Sequence, residues 1–416
     1  MGSVATFDDR IDALASSSPD WLSKLRQEAS AAYREIPYPL GREEVWRFTD
    51  VKAIHPDLFK LTGDAATPVL EGSAPDGVIF CDLETAVREH ADLLRGRLGS
   101  LIGSTDPFTA LSLAAHSGGT FLYVPKGAEI TAPFHATHSL AAEAAGTAVL
   151  PRTVVIVEDG AKVVFNDVYT SGPLAEPTLA APVTEMFIGK GAEVGWVTWQ
   201  DWGRGVKHVA NVRARLDRDA LLNTLVVTLG GDFSRTWKEC TMAGENARSF
   251  MYGLYFSHGD QRFEHWTMQD HVAPHCTSDL LYKGALTDTS QALYYGTIHI
   301  RPDAHHSDAY QANRNLALSP SARALPHPRL EIENNEVRCT HGVTVGQVSD
   351  EQLFYLESRG ISREDARKLI VFGFFNQVLD KVEWSGMQEQ LASSIQAKMP
   401  GVGSPTPGVG SSMKEV

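Results

Sequence analysis

The sequence predicts a mainly β fold: a β-solenoid core flanked by helical segments at both ends. Three observations predict it. Between residues 120 and 350, short β-rich runs alternate with turn signals at a mean spacing of roughly 15 residues, longer than the roughly 8–12 of a sandwich. Several of these turns end in a small residue that opens the next β run, as in GAEIT, GAKVV, GAEVGWV, DALLNTLVV and NARSFMYGLYF. Outside this region the apolar residues recur with the period of a helix. A strand–turn–strand unit of this length cannot bury its apolar face alone, so stacked neighbours must form the core between them. A large Greek-key sandwich or barrel is the competing arrangement on these signals.

Taken in order, the first 35 residues read as helical. Ile11 and Leu14 begin an apolar spacing; Pro19 and Asp20 then lead into Trp21, Leu22, Leu25 and Ala29, with Tyr33 beyond. Pro37 and Pro39 end it. Trp46 and Phe48 predict a small extended segment. Residues 84–99 predict a second helix with Ala86, Val87, Ala91, Leu94 and Leu98 on one face. Asp106-Pro107-Phe108 opens a third, shorter apolar segment. Residues 1–115 are thus expected to form a mostly helical domain that docks or caps and carries no chemistry.

Residues 116–349 are the expected solenoid, punctuated by turn signals such as Lys126-Gly127, Asp159-Gly160, Lys190-Gly191, Asp217-Arg218-Asp219, Gly244-Glu245-Asn246 and Asn334-Asn335. Beyond them, Leu353, Tyr355 and Leu356 fit a helix that Gly360 stops. Ser362 fits an N-cap, paired with Asp365, for a helix over residues 363–381. Its apolar residues, including Leu369, Ile370, Phe372, Phe374, Phe375, Val378 and Leu379, wrap more than one face, as in a helix that is buried or meets a partner. Residues 385–398 predict a weaker helix, completing a helical domain over 350–399. Residues 400–416 are rich in Gly, Pro and Ser and are expected to be disordered.

Composition excludes several classes. The 416 residues are 43% hydrophobic and 21% charged, ordinary for a soluble globular protein. The formal net charge of −14 argues against a nucleic-acid surface, which needs a basic patch. No apolar run reaches the length of a membrane span. The acidic beginning (Asp8, Asp9, Asp12) fits neither a secretory signal nor a transit peptide, although residues 1–6 match the short myristoylation pattern. The four cysteines, Cys81, Cys240, Cys276 and Cys339, are far apart and form no CxxC, which fits a reducing compartment better than a disulfide framework.

The stretch at 334–361, NNEVRCTHGVTVGQVSDEQLFYLESRGI, concentrates the candidate chemistry. It begins as a strand, so Cys339 and His341 share a face. A soft thiolate beside an imidazole is a half-site for a soft metal, although a lone strand Cys is more often a small buried hydrophobe. Two ligands do not close a metal site; others must come from elsewhere in the chain or from a partner. The remaining candidates are weaker. His271 and His275 are four apart, but Pro274 intervenes and the glutamate of H-E-x-x-H is missing. His305 and His306 would face opposite ways on a strand, so a surface turn fits them better. Cys240 and Cys276 read as core thiols. No Gly-Lys-Ser/Thr follows Gly230-Gly231, so no ATP-binding loop is present by motif.

CTHGVTVGQVSDEQLFYLESRGIS resembles the C-terminal stretch of the SufD branch of the SufB/SufD family of iron–sulfur cluster assembly scaffold subunits. WRFTD (46–50), VPKGAEI (124–130), GGDFSRT (230–236), SDLLYKGAL (278–286) and DAYQANRNLALS (308–319) extend the resemblance over residues 40 to 385. Where the family often carries two acidic residues before Val-x-Cys, this chain has Asn335 and Glu336. The resemblance implies a right-handed parallel β-helix core, which decides between solenoid and sandwich. It implies a cytoplasmic, non-enzymatic scaffold subunit of a SufBCD-type complex. It also implies that His341, with Cys339 beside it, binds metal within a transient iron–sulfur cluster at a subunit interface. The implied partners are a SufB-type paralogue, met through the end of the β-helix, and a SufC-type ABC ATPase, met through the C-terminal helices. A homodimer in isolation and a reduced flavin in the complex are also compatible with it. Two rival readings are a SufB-type paralogue, whose matching stretch typically reads EHEAT, and a β-helix enzyme acting on polysaccharide, a class usually exported.

Overall fold

The computed structural model describes residues 7–61, 68–382 and 387–399. The residue 1–6 myristoylation pattern and the residue 400–416 tail lie outside the described residues. The chain divides into two compact units, Met1–Gly346 and Gln347–Val416.

In the first unit the chain winds into a parallel β-solenoid of about eight coils, each giving one strand to each of two sheets. One sheet carries Arg152–Val157, Val183–Ile188, Val206–Leu216, Phe233–Met242, Arg262–His271, Gln291–Ile300 and Arg323–Ile332 in spatial order. The other carries Lys162–Ser171, Glu193–Asp201, Leu221–Thr228, Arg248–Ser257, Thr277–Leu286, Asp308–Ala317 and Arg338–Gln347. Arg262 pairs with Phe233 on one side and Gln291 on the other, so a coil takes about 30 residues, two of the turn intervals read from the sequence. Parallel neighbours throughout this stack rule out the Greek-key arrangement, whose neighbours are antiparallel.

The corners explain the repeated small residues. Entering the second sheet, one residue per coil takes the left-handed conformation: Gly127 (φ 70), Gly160 (φ 69) and Gly191 (φ 64), then Asp219 (φ 60), Asn246 (φ 60), His275 (φ 59) and His306 (φ 57). Glycine adopts this without a Cβ clash, and Asn, Asp and His are the other types enriched there. The residue that follows is small and buried in successive coils: Ala161, Ala192, Ala220, Ala247, Cys276 and Ser307. Cys276 therefore occupies a structural position of the repeat.

The N-terminal elements pack within this same unit. Helices Phe7–Ser17, Asp20–Glu35 and Pro107–Ala115 form, the last with a capping box between Asp106 and Thr109. Strands Val69–Glu71 and Ile79–Asp82 pair antiparallel with Phe134–Leu140 and Thr120–Val124. Two expectations fail locally. Trp46 and Phe48 lie in consecutive turns, closed by Trp46 and Arg47 amides donating to the Glu43 carbonyl, and are not extended. The helix expected over 84–99 runs only Leu83–Glu89, breaks at His90 (φ −129) and gives a single turn, Ala91–Leu94, before Gly96 and Gly99 take positive φ. Two buried ion pairs tie this region to the first sheet. Arg152 meets Glu185 at 2.8 Å, and Glu185 also accepts from the amides of Gly99, Leu101 and Ile102. Arg235 meets Glu264 at 2.9 Å while its guanidinium lies between the Trp46 and Trp266 rings.

The second unit contains helices Asp350–Ser358, Arg363–Leu379 and Met387–Lys398. The Ser362 hydroxyl accepts from the Asp365 amide, as its N-cap reading expects. Leu353, Ala366, Val371, Phe375, Val378 and Leu379 are buried, whereas Phe354, Tyr355 and Leu369 are exposed. Among the described residues no helix is long and apolar enough to cross a membrane.

Candidate functional site

The strand Arg338–Gln347 ends its sheet, so it has a neighbour on one side only. Its partner in the last coil, Arg323–Ile332, ends the other sheet. Residues along both are half-buried or exposed, in contrast to the buried strands one coil earlier. Leu325, Ile332, Val343 and Val345 are exposed apolar residues on these two strands.

Cys339 and His341 stand two residues apart on that terminal strand, on one face, as their spacing predicts. Their surroundings differ. Cys339 is half-buried beside the core cluster of Ile298, Ile300, Ala304 and Ala309. Burial, reinforced by the Asp308 carboxylate, pushes its thiol up to about 11. His341 is exposed. At neutral pH the thiol is therefore protonated, and a metal cation must displace that proton to bind. Among the described residues no group of three or more His, Cys, Asp and Glu is placed to hold a metal ion. Cys339 and His341 thus place a half-buried thiol beside an exposed imidazole on the edge strand.

The other candidates sort as follows. His271 is buried with Nε2 2.8 Å from Ser278 Oγ, while His275 takes a corner position, so the two share no helix face. His305 and His306 lie in a turn; both rings approach Glu336, at 3.6 and 3.9 Å, which a strand would have prevented. Cys240 and Cys276 are in the solenoid core, their thiols pushed by burial to about 12 and about 11.

Sequence reading missed the polar groups inside the solenoid. Lys238 is 1% exposed; its Nζ has no hydrogen-bond partner among the described residues and lies 4.8 Å from the Trp196 ring. Burial holds its ammonium down to about 7. His208 and His265, also buried, are held down to about 3 by desolvation. A cavity of about 20 Å³ lies among Lys238, His208, Gln200 and Thr228. Strand parity was the available signal: Lys238 alternates in step with Cys240 and Met242, which face the core.

Comparison with known proteins agrees with this architecture. The profile of the SUF system FeS cluster assembly SufBD core domain matches residues 139–374. An iron–sulfur cluster assembly SufBD family protein of Mycobacterium leprae is 30% identical over 399 residues, covering 93% of this chain and 97% of that protein. A SufBD family protein of Mycobacterium tuberculosis is 32% identical over 376 residues, covering 88% and 90%. The iron–sulfur cluster assembly protein SufB of Bacillus subtilis is 29% identical over 299 residues, covering 72% and 64%. With a profile matched over more than half its length and relatives aligned nearly end to end, this chain belongs to the SufBD family of iron–sulfur cluster assembly proteins.

Proposed function

We propose that this chain is a SufD-type scaffold subunit, and that Cys339 and His341 contribute an incomplete ligand set to a transient iron–sulfur cluster. The observation that carries the proposal is their place on the terminal edge strand of the solenoid, which has a neighbour on one side only. A SufB-type paralogue pairing with that end supplies the remaining ligands. The cluster is cargo, so few and mixed donors suit it: an imidazole holds iron less firmly than a thiolate, and an interface can open. The exposed Phe354, Tyr355 and Leu369 fit contact with a SufC-type ATPase. The Bacillus subtilis relative bears the name SufB, but CTHG at 339–342 favours the SufD type over the EHEAT of SufB.

The test is co-purification with SufB-type and SufC-type partners, then anaerobic reconstitution of wild-type and His341→Ala complexes. His341→Ala removes a donor at an exposed site, so stability should change by no more than about 0.5 kcal/mol. Cluster yield, read from charge-transfer absorption, should fall sharply. A destabilised complex with normal yield per folded molecule would remove the ligand role. A cluster that survives desalting on the isolated chain would remove the shared site.

A further inference from the structure

The two sheets have four terminal strands along the stack, and three of them carry a device that discourages a further strand from joining. At the N-terminal end, Ile79–Asp82 and Val69–Glu71 are only four and three residues long. At the other end, Arg323–Ile332 contains Pro326 and Pro328. The Arg323 amide donates to the Ser290 carbonyl and the Glu333 amide to the Ile300 carbonyl, so the odd-numbered residues of this strand bond the neighbour it has. The even-numbered residues point their backbone groups the other way, toward the open edge. Pro326 and Pro328 are both even, and a proline has no N–H. This edge therefore keeps the amides of Ala324, Leu330 and Ile332 and lacks the two between them.

Arg338–Gln347 is the exception. It is ten residues long and holds no proline, lysine or acidic residue, while Thr340, Val343, Thr344 and Val345 give it β-branched side chains. The Arg338 amide donates to the Ser307 carbonyl, so here the even-numbered residues face the neighbour. Cys339, His341, Val343 and Val345 then present amide and carbonyl to the open edge. His341, Val343 and Val345 are also exposed. A strand laid along this edge would lie about 4.8 Å away. Its side chains on the Cys339 and His341 face would stand beside those two residues, close enough to share a cluster with them.

We propose that the SufB-type partner joins this chain by adding one strand to Arg338–Gln347 alone, and that Pro326 and Pro328 keep the edge of the first sheet out of the joint. This rests on the reading that a SufB-type paralogue meets this end; it adds which of the two edges is met, and by which groups. The Bacillus subtilis SufB is similar to 72% of this chain, so a paralogue of that type has coils of its own and a strand to offer. Backbone pairing at 339–345 sets the register, and the side chains that this register brings beside Cys339 and His341 complete the ligand set.

The test purifies the full chain with SufB-type and SufC-type partners and compares amide exchange in the complex with that of the chain alone. Exchange over residues 338–347 should slow by about tenfold or more in the complex, while that over 323–332 stays unchanged. Val343→Pro and Val345→Pro each remove an edge-facing N–H and leave the bonds to Asp308–Ala317 in place. Each should weaken binding of the SufB-type partner by about tenfold or more, with the melting temperature of the isolated chain unchanged. Val343→Thr keeps the N–H, so the difference between the two variants at 343 isolates the backbone donor. Pro326→Thr with Pro328→Thr restores the edge of the first sheet without adding apolar surface, and the isolated chain should then self-associate as its concentration rises in sedimentation. A wild-type complex with no protection at 338–347, or with equal protection at 323–332, overturns the proposal and leaves the reading beneath it standing. So does unchanged partner affinity in a folded Val343→Pro. A wild-type chain that does not bind the SufB-type partner removes both. Protection at 338–347 that rises with concentration in the isolated chain, and gains nothing from the partner, assigns the edge to a second copy and overturns the choice of occupant. A double-threonine chain that sediments as the wild type does removes the role of the prolines. Should the variants at 343 and 345 fail to fold, exchange in the wild-type complex still decides.

Discussion

Gly284 lies beside Tyr255 in the register of the second sheet, and the tyrosine ring fills the space where a side chain at 284 would stand. Two residues away the relation is reversed: Tyr282 occupies the space beside Gly253. The solenoid core at these coils is thus a checkerboard of rings and glycines. The buried Tyr255 hydroxyl donates to Asn315 Oδ1 and accepts from Asn313 Nδ2, two coils further along the same sheet.

Gly284→Ala should destabilise the chain by about 1–3 kcal/mol, because the new methyl meets a ring held on both sides and cannot be relieved by one rotamer. Gly172→Ala, where nothing stands within 4 Å, is the control and should be near neutral. Denaturant midpoints of both variants check this. Equal midpoints would show that the ring has room to move.

Acid should weaken the fold well before carboxylates protonate. His208 and His265 are held down to about 3 and His271 to about 4, all by burial, against about 6.5 in an unfolded chain. The unfolded state therefore binds more protons throughout that window. Their contribution is complete above about pH 6.5 and is lost as pH falls toward 3–4, at up to about 1.4 kcal/mol per histidine per pH unit. Urea midpoints should fall steadily as pH drops from about 6.5 to 5; a flat profile over that range contradicts neutral burial of these rings.

Cys339 should react slowly for a partly accessible thiol. With its thiol pushed up to about 11, the thiolate fraction at pH 8 is roughly two hundredfold below that of an unperturbed cysteine near 8.5. Alkylation followed by mass spectrometry at that site, with Cys339→Ser as the blank, should accelerate with pH beyond 10. A rate that levels off near pH 8.5 would mean that the cluster of Ile298 and Ile300 does not desolvate the sulfur.

The solenoid was legible because its corner recurs in the sequence: a residue tolerant of positive φ, then a small one, then a β run. Cys276 belongs to that pattern, which is why its reading as a core thiol agrees with the coil geometry. The Cys339–His341 face was legible for an equally local reason, the two-residue period of a strand. What local pattern could not show was set by distant partners. The Trp46 segment turns because Glu43 receives two amides and Arg235, about 190 residues on, draws the Trp46 ring onto the sheet. Lys238 escaped because an apolar-periodicity reading passes over a charge at an inward position.

The coil register makes the first unit a ruler. Between Arg152–Val157 and Arg323–Ile332 one sheet counts six strand spacings, about 29 Å at about 4.8 Å each. Loss or duplication of one coil, about 30 residues, would leave both ends chemically intact and shift one against the other by a single rung. A partner that spans from the N-terminal helices to the terminal strand Arg338–Gln347 must therefore be cut to the same number of coils.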